Sequence, residues 1–323
     1  MKTTSLLVVV LLLSAGAASV ASAQTPAVAH NTWTAGAPEP TAQTTQAVGV
    51  INGEIYVVGG ASCYTCPNLA ITQIYDPATN TWSMGAPLPV ATSNGPTAAV
   101  VNNILYVFGG GTESEGVTSA VWAYNPETDS WSSMSPMPTA RGCAMATVAN
   151  DSIYVIGGCG EDPNDRLATV ESYNPATDTW TEETPLLVGK SQPSVGTIGT
   201  TMSPPFTPTT RSTIVAADGW TADGDTGDNE GYNISANSWS SLATDPNPRN
   251  GACTGVIGEF LYVAGGNGTS TESFNLSRNT WNTLAPIPVW TQFAGSAVYN
   301  GLLYCFGGFG NSGGLNNTQI YQP

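Results

Sequence analysis

The run Ile55-Tyr56-Val57-Val58-Gly59-Gly60 decides how this chain is read, because it keeps coming back. It returns as Leu105-Tyr106-Val107-Phe108-Gly109-Gly110, Ile153-Tyr154-Val155-Ile156-Gly157-Gly158, Leu261-Tyr262-Val263-Ala264-Gly265-Gly266 and Leu303-Tyr304-Cys305-Phe306-Gly307-Gly308. A worn copy, Ile214-Val215-Ala216-Ala217-Asp218-Gly219, fills the one gap and brings the count to six. A short apolar run closed by glycines reads as a buried strand that ends where another group comes close. A large ring from a neighbouring strand is expected to fill the space the glycines leave.

Outward from each Gly-Gly, a variable stretch leads to a second signal, an aromatic residue two before proline, as in Tyr75-Asp76-Pro77, Tyr124-Asn125-Pro126 and Tyr173-Asn174-Pro175. A polar turn and a tryptophan follow. Trp33, Trp82, Trp131, Trp180, Trp239 and Trp281 are 49, 49, 49, 59 and 42 residues apart. A period near 50 marks an array of units that cannot bury their apolar faces alone. Each period holds four short strands separated by turn signals. The longest spacing carries the degraded Gly-Gly, a Pro/Thr-rich insertion and the acidic stretch from Asp218 to Glu230.

The coincidence of double glycine, Tyr, Trp and a following Pro-x-Pro resembles the kelch repeat over nearly the whole chain. Kelch repeats build β-propeller blades, so the resemblance implies an all-β, six-bladed propeller with four-stranded blades. The chain stops at Tyr321-Gln322-Pro323 after a third strand and opens at Asn31-Thr32-Trp33 on a fourth. The N-terminal strand is therefore expected to complete the last blade and remove the free sheet edges.

The first residues read as an export signal: Met1-Lys2, an apolar run from Leu6 to Leu13, and Ala21-Ser22-Ala23 as the cleavage site. Residues 1–23 are assigned to the signal and 24–323 to a single propeller, secreted into the periplasm or outside the cell and expected to be a monomer. The formal net charge is −16, with 9% of residues charged. Such a surface repels nucleic acid and anionic membrane, and no stretch is long and apolar enough for membrane insertion. The six cysteines suggest disulfides in an oxidising compartment. Cys63 and Cys66 can close a small ring, and hairpin register puts Cys143 opposite Gly158, beside Cys159, as a second candidate disulfide. Cys253 and Cys305 have no hairpin partner and are expected to be buried thiols.

The inter-blade loops, aligned on their Pro-x-Pro starts, put Gln43, Thr92, Arg141, Lys190, Arg249 and Thr291 at one position near the central mouth. Three of the six cations left after signal cleavage fall there, and Arg166 lies in a loop on the same face. One reading is a mouth that holds an anion, with bidentate contacts from arginine. The other has the same side chains bonding neighbouring loop carbonyls. Trp290 and the variable loops, with Tyr64, Glu113, Glu115, Glu161, Asp162, Asp165 and Trp220, add stacking and acidic groups.

The leading expectation is a binding module for an acidic carbohydrate or a protein or peptide partner. The alternatives are an enzyme acting on an acidic sugar, of the sialic acid mutarotase, epimerase or lyase type, and a structural surface protein. No cofactor is expected. Asp223, Asp225 and Asp228 are ligands of the kind calcium takes, but their spacing does not match an EF-hand loop. Kelch copper oxidases need histidines, and His30 is the sole histidine. The Glu-x3-Asp-x3-His iron pattern of kelch nitrile-specifier proteins is met by Glu161 and Asp165, but Thr169 stands in place of the histidine.

Overall fold

The computed structural model describes residues 30–323 except 64, 65, 115, 163, 201–210 and 312. The expected signal segment lies outside the described residues, as do Tyr64, Glu115 and the whole Pro/Thr-rich insertion, Met202 to Thr210.

Six four-stranded antiparallel sheets stand around a common axis. Blade 1 is Ala47–Ile51, Glu54–Val58, Thr72–Asp76 and Thr81–Gly85. Blade 2 is Thr97–Val101, Ile104–Phe108, Val121–Asn125 and Ser130–Ser133. Blade 3 is Met145–Ala149, Ser152–Ile156, Val170–Asn174 and Thr179–Glu182. Blade 4 is Ser194–Thr200, Arg211–Ala217, Asn229–Asn233 and Ser238–Ser241. Blade 5 is Cys253–Ile257, Phe260–Ala264, Thr271–Asn275 and Thr280–Thr283. Blade 6 takes Gly295–Tyr299, Leu302–Phe306 and Thr318–Gln322 from the end of the chain and Thr32–Gly36 from its start. Trp33 faces Tyr321 in that last pairing, so the ring closes as the two ends of the sequence require.

Each second strand is buried on both faces, which is why it reads as a continuous apolar run. In blade 1, Tyr56 and Val58 pack against Leu105 and Val107 of blade 2, while Ile55 and Val57 pack against Tyr304 and Phe306 of blade 6. The outer edge is stitched by the tryptophans. Every one faces the aromatic residue of the third strand across the sheet, with ring centroids 4.9–5.1 Å apart. Pairs of this kind add about 0.5–1.5 kcal/mol beyond area burial. Every indole N–H also reaches the preceding blade, as Trp82 does to the Ala37 carbonyl and Trp131 to the Ala86 carbonyl, both at 2.9 Å.

The glycines turn out to face something other than a ring. The amide of the second glycine donates to a carbonyl of the next inter-blade loop: Gly60 to Thr92, Gly110 to Arg141, Gly158 to Lys190, Gly219 to Arg249, Gly266 to Thr291 and Gly308 to Gln43, at 2.7–3.1 Å. The first glycine has positive φ in five blades, and a Cβ there would run into that same carbonyl. Glycine is thus demanded by an approaching backbone, not by an aromatic ring.

Cys63 and Cys66 form the expected disulfide. Cys253 and Cys305 are also bonded, which corrects the expectation of buried thiols. Hairpin register relates residues within one blade. This bond instead joins the first strand of blade 5 to the second strand of blade 6, whose Cα atoms come within 5.7 Å. Cys143 and Cys159 remain thiols. Their register is as read, since Gly142 bridges Cys159, but the two are diagonal neighbours and no bond joins them.

Candidate functional site

The inter-blade loops build the central mouth, and three successive residues in each have three different jobs. The first is the ring singled out in the sequence. Gln43, Thr92, Arg141, Lys190, Arg249 and Thr291 are each 0–4% exposed. Their side chains turn into their own blade and donate to carbonyls at the strand ends. Arg141 reaches Val155 at 3.1 Å, Arg249 reaches Ser270 at 3.1 Å, and Thr291 reaches Gly307 at 2.7 Å. Gln43 bonds the Gly59 carbonyl and Gln73.

The three cations also meet carboxylates there. Arg141 pairs with Glu171 at 3.0 Å, Lys190 with Glu230 at 3.0 Å, and Arg249 with Glu272 and with Asp245. Both sides of every pair are 0–3% exposed. Burial pulls the Arg141 guanidinium down to about 10, against the upward pull of Glu171. The same desolvation holds the Glu272 carboxyl above the usual carboxylate range despite Arg249. The structure places Arg141, Lys190 and Arg249 inside the blades, each against a carboxylate and bonded to main-chain carbonyls.

The second loop residue pairs with the residue just past the double glycine, as Ser93 does with Gly111 and Gly142 with Cys159. The third faces the axis. Thr45, Asn94, Cys143, Gln192, Gly251 and Phe293 occupy this place, and all six have φ between +52° and +60°. Left-handed backbone is uncommon for any residue but glycine and an outlier for a branched or bulky one. It is held by a belt of main-chain bonds at 2.7–3.3 Å: Thr45 donates to Phe293, Phe293 to Gly251, Gly251 to Gln192, Gln192 to Cys143 and Cys143 to Asn94. Sequence reasoning missed this position, although it lies two residues after the ring it chose.

Above the belt opens a cavity of about 660 Å³, and below it a narrower one of about 140 Å³. The belt is the neck between them: Thr45, Cys143, Gln192 and Phe293 line both cavities, Asn94 the upper and Gly251 the lower. The upper wall adds Arg166, Glu113, Glu161, Asn250, Phe309 and Trp220. Arg166 thus reaches the mouth as expected. Trp290 is half-buried, its indole N–H tied to the Gly266 carbonyl at 2.6 Å, so it braces blade 5. Trp220 is 42% exposed, on a small hairpin where it faces Asp225 across the strands. The Asp225 carboxylate accepts from the side-chain amides of Asn250 and Asn267, and Gln292 donates to both of their oxygens. Each Asp225 carboxylate oxygen thus takes one amide donor. Among the described residues no group of three or more His, Cys, Asp or Glu is placed to hold a metal ion.

Cys143 stands at the neck and Cys159 on the upper wall. A hydrogen bond with Cys159 and burial push the Cys143 thiol up, while that bond and the Arg166 charge pull Cys159 down.

The solved structure of YjhT superposes on the chain with a TM-score of 0.71 at 19% identity, covering 87% of this chain and 95% of that one. That likeness is one of fold. No curated protein sequence matches. The family profile of the KLHDC2/KLHL20/DRC7 kelch-repeats domain matches residues 45–266, and the chain belongs to that kelch-repeat family.

Proposed function

We propose that this kelch propeller is an exported binding module that holds a segment of a partner protein in its upper mouth. The observation that carries this reading is the neck. Scaffold positions repeat from blade to blade: glycine pairs, a third-strand aromatic, a tryptophan. The neck position is Thr, Asn, Cys, Gln, Gly and Phe in turn, while its backbone stays the same. A conformation that costs of order 1–3 kcal/mol per non-glycine residue is thus kept for five different side chains and one glycine. A surface that varies on an invariant frame suits a particular ligand better than it suits packing. Kelch domains mediate protein binding, which favours a protein segment. The acidic-sugar version loses support because the cations that were to hold the sugar are sealed in ion pairs. The two disulfides agree with export to an oxidising compartment.

Selection from a displayed random-peptide library tests the reading. Enriched peptides are expected to compete with one another and to lose binding to Asn94→Trp and to Gln192→Trp, which fill the neck from two blades. Each variant is first checked for an intact thermal transition. Peptides that bind the filled variants as well as the parent would place recognition elsewhere and overturn the proposal.

A further inference from the structure

The charge of the mouth is opposite to what the ring of cations suggests. Three of the cations are interior, each facing a buried carboxylate. The variable loops on the mouth face, by contrast, carry exposed carboxylates at Glu113, Glu161, Asp162, Asp165, Asp223 and Asp225. Arg166 is the cation those loops hold among the described residues, and its guanidinium donates to the Asp165 carbonyl at 3.3 Å. Of these carboxylates, Glu113 and Glu161 line the upper cavity together with Arg166, and a concave wall of net negative charge focuses its field on what enters it. The cavity also has an aromatic platform. Trp220 is the most exposed aromatic side chain among the described residues, and Phe293 and Phe309 share its wall.

Trp220 stands on that wall, and Asp225 adjoins it as its cross-strand neighbour on one two-residue-stranded hairpin. Asp225 can only accept hydrogen bonds, so Asn250 and Asn267 must turn their NH2 groups toward it and their oxygens toward Gln292. The amide network is thereby fixed in one orientation and ends on a carboxylate that meets amides instead of a cation. An indole face beside a fixed carboxylate is complementary to a guanidinium or ammonium group: the ring quadrupole attracts the charge and the carboxylate takes its N–H donors.

We infer that the mouth takes a basic peptide segment of a partner protein, with a Lys or Arg side chain seated between the Trp220 indole and the Asp225 carboxylate. This rests on the reading of the mouth as a peptide site and adds the sign of its ligand. The four ion pairs of the blades leave the sign of the surface to the loops, and the loops are acidic.

The test uses the full mature chain and three synthetic peptides: acetyl-Gly-Lys-Gly-Arg-Gly-amide and analogues with Gln or Glu at both charged positions. Calorimetric titration at low salt is expected to show binding of the basic peptide, with the Gln peptide at least about ten-fold weaker and the Glu peptide silent. Binding should fall steeply at about 1 M salt, where the screening length is about 3 Å. Trp220→Ala and Asp225→Asn should each weaken the basic peptide about five- to ten-fold, and Trp220→Phe should restore part of the loss. Trp220 is exposed, so its variants are expected to keep the parent melting midpoint, while Asp225→Asn, which forces one amide of the network to turn, should lower it slightly. Equal binding of all three peptides, or a basic peptide indifferent to Trp220→Ala and Asp225→Asn, overturns the cation seat and leaves the mouth as a peptide site. No binding of the basic peptide by a protein that still captures library-selected peptides at the neck does the same. Loss of both the basic and the library-selected peptides removes the peptide site itself.

Discussion

Blades 1, 2 and 6 and blades 3, 4 and 5 meet the same requirement with different chemistry. In all of them the inter-blade loop supplies side-chain donors to main-chain carbonyls at the ends of the second and third strands. Blades 1, 2 and 6 supply neutral side chains, Gln43, Thr92 and Thr291. Blades 3, 4 and 5 supply Arg141, Lys190 and Arg249, and add a carboxylate to each. That carboxylate sits two residues before the third-strand aromatic: Glu171 before Tyr173, Glu230 before Tyr232, Glu272 before Phe274. The neutral blades carry Gln73, Trp122 and Gln319 at the same place. Charge on the loop and charge on the strand appear together or not at all, which is what a sealed structural pair requires and a ligand site does not.

Breaking one pair should have the largest effect. Glu272→Ala leaves Arg249 buried with Asp245 alone, and Glu171→Ala leaves Arg141 without a carboxylate. Uncompensated buried charge costs about 3–5 kcal/mol. In a domain of this size the melting midpoint should drop by roughly 6–20 °C. Thr92→Ala, in the neutral half, should lose no more than about 1.5 kcal/mol by the same measurement.

Converting one half into the other sharpens the comparison. The double variant Arg141→Gln/Glu171→Gln gives blade 3 the Gln43–Gln73 chemistry of blade 1. It is expected to recover most of the stability lost by either single change, a coupling of about 2 kcal/mol or more in a double-mutant cycle. Purely additive losses would show that the two residues do not act as a pair.

The smallest effect is a pH dependence. The residue after the first loop proline packs under the glycine turn and is apolar in four blades, as Leu88 and Met137 show, but is Glu39 in blade 1; in the shortened loop before blade 5 its place is taken by Asp245, which comes ahead of Pro246. Asp245 has Arg249 beside it, whereas burial holds the Glu39 carboxyl well above its usual range, outweighing a hydrogen bond from the Gln43 backbone. A raised folded-state pKa means that the folded chain holds the proton more tightly. The stability this gives is full below the unfolded value of about 4.3 and is lost as pH rises through the folded value. Glu39→Leu should therefore raise the midpoint at neutral pH, by about 1–3 kcal/mol of stability, and change little near pH 4. An equal gain at both pH values would assign the effect to packing.

The scaffold was legible because each of its devices is written five or six times. Gly-Gly, the third-strand aromatic and the tryptophan mark a backbone contact, a cross-strand ring pair and an inter-blade hydrogen bond, and repetition separates them from chance. The partners of Arg141, Lys190 and Arg249 were legible too, but only with the repeats aligned on the third-strand aromatic instead of the loop. Loop lengths differ, so the carboxylates fall 30, 40 and 23 residues downstream of their cations. The Cys253–Cys305 bond lay outside any hairpin register because it crosses between blades. The neck was hidden for the opposite reason: nothing in Thr45, Asn94, Cys143, Gln192, Gly251 and Phe293 repeats except a backbone angle.

Ring closure has a consequence for how the chain is made. Thr32–Gly36 is synthesised first, yet its partner, Thr318–Gln322, is synthesised last. The leading strand must stay unclaimed while five blades form behind it. Until it docks, the sixth blade shows an open edge that a leading strand from another newborn chain can take equally well. Crowded synthesis or export should therefore yield strand-exchanged dimers, and dilution should yield closed rings.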